Sequence, residues 1–116
     1  MDLVLSAAKH DGVPVLSLTG EVDLATLPRL RDGFVRLAAD HPGTTALVDL
    51  DGVAAIDDAG LGALVGGLRR MVATGGDLEV VCSSARLLEV LRSTRLDRVF
   101  TIHPSIAAAL GSRSRG

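Results

Sequence analysis

The sequence predicts an α/β fold with a mixed, mainly parallel sheet of four to five strands, about four helices and an N-terminal β-hairpin. Short apolar runs typical of buried strands alternate with apolar residues at three- and four-residue spacing, which is typical of helices. Glycine-containing turn signals separate these segments. The resulting order, β-β-α-β-α-β-α-β-α, favours parallel pairing through right-handed crossovers. A chain of 116 residues fits one compact domain.

Local signals place the individual elements. An Asp-Gly pair at 11–12 favours a tight hairpin turn between the first two strands. Thr26 is expected to cap the first helix, Asp51-Gly52 to turn the chain after the third strand, and Gly75-Gly76 to end the longest helix. The predicted strands are Leu3–Ala8, Val13–Thr19, Ala46–Leu50, Leu78–Cys82 and Val99–Ile102. The predicted helices lie between Leu24 and Asp40, Leu61 and Val72, Ser84 and Leu91, and Ser105 and Leu110.

Composition excludes several classes of protein. Apolar residues make up 47% and charged residues 22% of the chain, and the net charge is −2. Binding to nucleic acid is not expected, because the basic residues are interleaved with acids. Cys82 is the only cysteine, so an intrachain disulfide and a Cys-rich zinc site are excluded, and the cytoplasm is the expected location.

Membrane insertion is not expected either. No apolar run approaches the ~20 residues that span a bilayer, and the N-terminus lacks a signal-peptide pattern. Residues 1–111 are predicted to form a single domain. The polar, glycine-containing residues 112–116 are predicted to be a flexible tail.

Two acidic segments are the candidate functional loops, because loops at the carboxyl ends of strands carry function in α/β sheets. One segment, 19–23, leaves the second strand, and the other, 57–62, opens the longest helix. If both lie at one edge of the sheet, they bring together Glu21, Asp23, Asp57 and Asp58. Each of these acids is alternatively a turn or cap residue, since carboxylates accept bonds from unpaired helix amides.

Sequence motifs argue against an enzyme. The chain has neither a Gly-x-Ser-x-Gly elbow nor a Gly-x-x-x-x-Gly-Lys-[Ser/Thr] phosphate loop. The three histidines fall near predicted turns without ligand spacing, so neither a metal nor a cofactor is predicted. Cys82 sits in an apolar strand, where an inert core residue is expected. A phosphoreceiver domain needs a lysine near a late strand, but the only lysine is Lys9, in the hairpin.

Three ordered segments resemble the STAS family, whose soluble bacterial members include anti-sigma factor antagonists. Leu18–Asp23 is similar to the family's Leu-x-Gly-Glu-[apolar]-Asp. Val48–Val53 and Ile56–Gly62 are similar to its Asp-Leu-x-x-Val and [apolar]-Asp-[Ser/Thr]-x-Gly-[apolar] stretches, and Leu96–Phe100 is similar to its closing stretch. The resemblance covers nearly the whole chain and implies the STAS fold with a protein-binding role.

The resemblance also implies a mechanism, partner switching. The unphosphorylated antagonist binds an anti-sigma factor, usually a serine kinase of histidine-kinase-like fold, and so releases a sigma factor to RNA polymerase. The kinase phosphorylates a serine or threonine of the antagonist, which adds about −1.5 to −2 charge and ends binding, and a phosphatase resets the switch. Asp58 occupies the phosphoacceptor position and Ala59 follows it, so neither accepts a phosphoryl group in the family's usual way.

Three hypotheses follow for Asp58. It locks the protein in the released state, or the partner has a surface that accepts it, or it is only a helix cap on a STAS module with another role. Such a role would be that of an accessory subunit of a membrane lipid-transport ABC system. A homodimer is left open. The expected partner-binding residues are Asp23, Thr26, Asp57, Asp58, Ala59, Gly60, Leu61 and Gly62, with Ala63 and Gly66 on the outward face of the long helix.

Overall fold

The computed structural model describes residues 2–114 and contains one five-stranded sheet in the order β1-β2-β3-β4-β5. Strand β1 pairs antiparallel with β2, and the remaining neighbours pair in parallel. The predicted class and the N-terminal hairpin are therefore confirmed. The elements are β1 (Leu3–His10), β2 (Val13–Val22), α1 (Leu27–Asp40), β3 (Thr45–Ile56), α2 (Asp58–Ala73), β4 (Asp77–Val81), α3 (Ala85–Ser93), a 3-10 turn (Leu96–Arg98), β5 (Ile102–His103) and α4 (Ile106–Ser114).

The hairpin turn between β1 and β2 has the predicted chemistry. Asp11 and Gly12 both adopt positive φ, 51° and 79°, which a two-residue primed turn requires. His10 and Val13 face each other across this turn. The hairpin sets the register of β1, so that Leu3 and Leu5 point toward the main core.

Two apolar layers cover the sheet. The main core lies between the sheet and helices α1, α2 and α3, and it includes Phe34, Leu64 and Leu91. A smaller core on the opposite face joins Val15, Leu47, Val81 and Ala109 of α4. The crossover helices α1, α2 and α3 therefore share one face, as right-handed crossovers between consecutive neighbouring strands require.

Cys82 belongs to the main core, as expected. Its side chain is 1% exposed, and burial raises the pKa of its thiol above the ordinary value of 9.0. The thiol sulfur lies 3.9 Å from the carbonyl oxygen of Ser84. Cys82 itself follows the last residue of β4, so the predicted strand end is one residue too long.

Strand β3 is longer than the sequence predicted. The expected turn at Asp51-Gly52 is wrong, because β3 continues to Ile56 and both residues lie within it. The Asp51 carboxylate accepts hydrogen bonds from the Ser83 amide (2.7 Å) and hydroxyl (3.0 Å), which tie β3 to the end of β4. At Gly52, a Cβ would stand only 2.7 Å from the Leu18 carbonyl oxygen, so this glycine permits close approach of β2.

Several element ends also differ from expectation. Helix α1 begins at Leu27, directly after the N-cap position predicted at Thr26, although the helical apolar spacing in the sequence begins at Leu24. The last strand is Ile102–His103 instead of Val99–Ile102, because the Val99 and Phe100 amides bond back to the Leu96 carbonyl oxygen in the 3-10 turn. Helix α4 passes the expected end and runs to Ser114. Residues 115 and 116 of the predicted tail lie outside the described residues.

Two histidines that were expected near turns lie within strands, although His10 remains next to the hairpin turn. His10 ends β1, and His103 lies in β5 with 9% of its surface exposed. The His103 ring nitrogen Nε2 is hydrogen-bonded to Glu79 Oε1 at 2.9 Å. Across residues 2–114 we find no helix with the length and apolarity needed to cross a membrane.

A candidate protein-binding site

The two acidic loops meet at one edge of the sheet, which is the condition under which their four acids come together. The Asp57 amide donates to the Val22 carbonyl oxygen at 3.1 Å, and the Leu24 amide donates to Asp57 Oδ2 at 3.3 Å. Both bonds join the end of β2 to the start of α2. Glu21 and Asp23 are half-buried in this edge, whereas Asp57 and Asp58 are exposed.

The loop between β2 and α1 is held in shape by its own polar groups. The Thr26 hydroxyl donates to the Glu21 carbonyl oxygen (2.9 Å) and accepts from the Asp23 amide (3.0 Å). In return, the Thr26 amide donates to Asp23 Oδ1 at 3.0 Å. The predicted capping role of Thr26 is wrong: it occupies the N-cap position of α1, but its side chain turns back into the loop and leaves the helix amides uncapped.

Helix α2 is capped by Asp57. Its Oδ1 accepts a 2.8 Å bond from the Gly60 amide, and its extended backbone is typical of an N-cap residue. Asp58 is the first residue of the helix, and its carboxylate has neither a hydrogen bond nor an ion pair within residues 2–114. The hypothesis that Asp58 is itself the cap is therefore wrong. Its negative charge still suits the helix N-terminus.

Gly60 and Leu61 lie on the buried side of the first turn of α2, beneath the exposed site residues. Both are buried, and a Cβ on Gly60 would stand 2.6 Å from the Val22 carbonyl oxygen. Only glycine allows the first turn of α2 to approach the end of β2 this closely. The two residues therefore set the position of Asp58 and do not present side chains to a partner.

A shallow groove of about 190 Å³ separates α1 from α2 and begins beside the acidic edge. Four of the predicted contact residues form the α2 side of this groove. They are Ala59, Gly62, Ala63 and Gly66. Nothing lies within 4 Å of the positions where Cβ atoms of Gly62 and Gly66 would stand, so a partner surface can approach the helix backbone there.

The groove also contains residues that the sequence reasoning missed. Leu27, Arg31 and Phe34 of α1 form the opposite wall, and Arg70 lies at the α2 side. Leu27, Arg31 and Phe34 are spaced by four and three residues, a helical stripe that signals one shared face. Arg31 was not singled out because its charge alone is typical of a solvated helix face.

The candidate site combines exposed carboxylates, a shallow groove and a stretch of helix backbone that a partner can approach. Within residues 2–114, no group of three or more His, Cys, Asp or Glu side chains is arranged to hold a metal ion. A loop braced by its own hydrogen bonds beside a shallow groove of small residues is a surface suited to another protein. The fold is that of a small α/β domain, and the site is a candidate surface for binding another protein.

The chain belongs to the STAS domain family, whose model matches residues 5–109. It is 28% identical over 115 residues to the anti-sigma-F factor antagonist RsfB of Mycobacterium tuberculosis, covering 96% of this chain and 93% of that protein. It is also 28% identical to the anti-sigma-B factor antagonist of Bacillus subtilis, with 88% and 92% covered. The crystal structure of an anti-sigma factor antagonist from Mycobacterium paratuberculosis superimposes with a TM-score of 0.84 at 28% identity, covering 95% and 92%.

Proposed function

We propose that this protein is an anti-sigma factor antagonist that acts in the cytoplasm by binding an anti-sigma factor and so freeing a sigma factor for transcription. Support comes from relatives of this name that match most of the chain. The observation that carries the proposal is the position of Asp58: it is the exposed first residue of α2, beside a groove that admits a partner.

The proposed binding surface consists of the β2–α1 loop, the start of α2 and the groove wall on α2. Asp23 and Thr26 brace the loop, and Asp57 links that loop to α2 through the Leu24 amide. These bonds form the surface before a partner arrives, which lowers the entropy lost on binding. The proposed partner is an anti-sigma factor that is a serine kinase of histidine-kinase-like fold.

Asp58 determines how this surface is controlled. A phosphorylated side chain carries about −1.5 to −2 charge and three acceptor oxygens, whereas a carboxylate carries about −1 and two. Because Asp57 supplies the helix cap, the Asp58 carboxylate is available to a donor on the partner. We therefore propose that the partner surface accepts Asp58 and that phosphorylation at this position does not control binding.

The lipid-transport alternative has no observation of its own. The curated relatives above carry the name antagonist. In the structure, Asp57 is the helix cap, a role that this alternative gave to Asp58. We therefore advance only the antagonist function.

The test is a binding titration with the anti-sigma kinases of the same organism in the presence of ATP. The native protein, Asp58→Asn, Asp58→Ala and Asp58→Ser are compared by calorimetry. Asp97→Asn, an exposed acid in the 3-10 turn, is the matched control. Because the chain has neither Trp nor Tyr, concentrations need refractometry.

We expect tight binding by the native protein and by Asp97→Asn. Asp58→Asn should bind roughly tenfold more weakly, because a charge-assisted hydrogen bond becomes a neutral one. Asp58→Ser should at first bind about as weakly as Asp58→Asn, because it also lacks the carboxylate, and its affinity should change as ATP is consumed, since it restores a phosphoacceptor. Tighter binding by Asp58→Ala than by the native protein would instead support the locked, released state. Failure of every form to bind any such kinase would overturn the function itself.

A further inference from the structure

A second groove lies on the other side of α1, between this helix and β1. It is larger than the α1–α2 groove, with a volume of about 630 Å³. Leu5, Ala7 and Leu16 are among the apolar residues along its floor, and Arg29, Asp32, Arg36 and Asp40 line it from α1. We call this the β1–α1 groove. It does not overlap the residues proposed to bind an anti-sigma factor.

The free edge of β1 borders this groove. In a two-residue hairpin the residues flanking the turn form a hydrogen-bonded pair, and such pairs alternate along the strands. His10 is the flanking residue, so the backbone groups of Ser6 and Ala8 face β2, whereas those of Leu5 and Ala7 face outward. The Leu3 carbonyl oxygen fits this alternation, because it accepts a 2.7 Å bond from Arg29 Nη1.

Apart from the Leu3 carbonyl oxygen, which Arg29 covers, this edge has few of the features that prevent edge-to-edge pairing. Strand β1 has no proline, and its pairing with β2 runs without a bulge from Leu3 to His10. Its charged side chains come only near the end, beginning at Lys9. Ser6, Ala7 and Ala8 are small and exposed, and Val4 is 59% exposed. An open edge of this kind is a template for another strand.

The charged side chains along the groove can pair with those of a second copy of the chain. They alternate along α1 as Arg29, Asp32, Arg36 and Asp40. If a two-fold axis passes between the two copies of α1, level with the middle of the helix, the order reverses in the second copy: Arg29 then faces Asp40 of that copy, and Asp32 faces Arg36. An isologous contact requires a pattern of this type.

The relative placement of β1 and α1 allows the β1–β1 pairing and the α1–α1 charge pairs to form in the same dimer. Arg29 lies beside Leu3, and Gly33 lies against Leu5, so α1 and β1 run side by side in the same direction. The mid-point of the charged stripe therefore falls near Ser6. An antiparallel pair centred on Ser6 places Leu5 opposite Ala7 of the second copy, and both residues have outward-facing backbone groups.

The spacing of the helices agrees with this arrangement. Helix α1 contacts both β1 and β2, which places it over the space between them. Strands lie about 4.8 Å apart, so two such helices on either side of a β1–β1 junction stand about 10 Å apart. Packed helices are typically about 8–10 Å apart.

We infer that the β1 edge and the β1–α1 groove form the interface of a symmetric homodimer, with a ten-stranded sheet continuous across two copies. The occupant of the groove is the second copy of α1 and β1. Each copy keeps its α2 surface free for another partner.

Sedimentation of the purified protein alone tests this inference, so its outcome is independent of any anti-sigma factor. We expect the protein to be in equilibrium between monomer and dimer. The dimer dissociation constant should rise at high salt, which screens the charge pairs. Ala7→Pro should abolish the dimer while the fold remains, because the Ala7 amide faces away from β2. Ala85→Pro is the matched control, since proline is tolerated at the first position of a helix such as α3.

A charge swap tests the register. Asp32→Arg or Arg36→Asp alone should raise the dimer dissociation constant at least about tenfold, because each places like charges opposite one another twice. The double variant should return to within about threefold of the native value. A monomer at every concentration, a dimer that tolerates Ala7→Pro, or a double variant no better than the singles would overturn the inference.

Discussion

Gly60 gives the sharpest test of how the start of α2 is held. Replacement by alanine adds one methyl group in the buried first turn of the helix. The new Cβ would stand 2.6 Å from the Val22 carbonyl oxygen, 2.7 Å from Val22 Cγ1 and 2.9 Å from Ile56 Cγ1. The carbonyl oxygen cannot rotate away like a side chain, and it also accepts the Asp57 amide at 3.1 Å.

The expected loss follows from three contributions. Overpacking a filled site costs about 1–3 kcal/mol, and weakening the Asp57–Val22 hydrogen bond costs about 1 kcal/mol. The greater helix propensity of alanine returns about 1 kcal/mol. We therefore expect Gly60→Ala to lower the free energy of unfolding by about 1–3 kcal/mol and the Tm by roughly 4–12 °C.

Gly66→Ala is the matched control. It lies in the same helix, but nothing stands within 4 Å of its new Cβ, so only the propensity gain of about 0.5–1 kcal/mol remains. Urea denaturation followed by circular dichroism measures both variants. If Gly60→Ala is as stable as the native protein, or if both variants shift stability in the same direction, the close approach of α2 to β2 is refuted.

Two further predictions concern Asp57 and Cys82. Asp57→Ala should lower the free energy of unfolding by about 1–2 kcal/mol in urea denaturation, since the Gly60 and Leu24 amides lose their acceptor. Asp58→Ala should cost less than about 1 kcal/mol, because it removes only a dipole interaction; equal losses would contradict the assignment of the cap. Cys82 should resist a thiol reagent at mildly alkaline pH until urea unfolds the chain. Because burial raises the folded pKa of this thiol, its contribution to stability is present below the unfolded pKa and is lost as pH rises above about 9. Rapid labelling of the native protein would contradict this.

Most of the fold could be predicted from the sequence, because apolar periodicity and glycine turns depend on residues that are close together in the chain. The Asp11-Gly12 hairpin, the end of α1 at Asp40 and the Ser84 cap, which accepts a bond from the Leu87 amide, all formed as expected. Each of these depends on neighbours within a few residues. Long-range contacts do not contribute to such signals.

The predictions of turns and caps failed where other contacts in the folded chain overrode the local sequence pattern. Asp51-Gly52 has the composition of a turn, but β3 continues through it because residues 52–56 pair with the end of β2. Ser83, 32 residues away, also supplies two donors to the Asp51 carboxylate. Thr26 has the composition of a cap, yet its hydroxyl bonds to the Glu21 carbonyl oxygen. In the acidic pair at the start of α2, the sequence could not decide which carboxylate caps the helix, and the hydrogen bond to Gly60 assigns that role to Asp57.

The candidate site was predictable in position and less so in extent. The acidic loops belong to consecutive parallel strands, so their meeting at one edge follows from the fold alone. The wall supplied by α1 depends on how that helix packs against α2, which no residue pattern of either helix specifies. Gly67, whose Cβ would stand 2.8 Å from the Phe34 ring, is the contact that brings these helices together.

Helix α1 separates the two surfaces proposed for this protein. Leu27 and Arg31 face the α1–α2 groove, whereas Arg29 and Arg36 face the β1–α1 groove. The proposed binding to an anti-sigma factor and the proposed dimer therefore use different side chains of one helix. Variants on one side of α1 should leave the other interaction unchanged.

The central claim is that the α2 surface binds an anti-sigma factor, and steric blocking of this surface tests it most directly. Gly62→Arg places a long side chain on the open face of α2, and Gly111→Arg makes the same change at another uncrowded helical glycine, in α4. The dissociation constant of each for the anti-sigma factor that the native protein binds is the measurement. We predict that Gly62→Arg weakens binding at least about thirtyfold and that Gly111→Arg stays within about twofold. Equal affinities of the two variants would contradict the account.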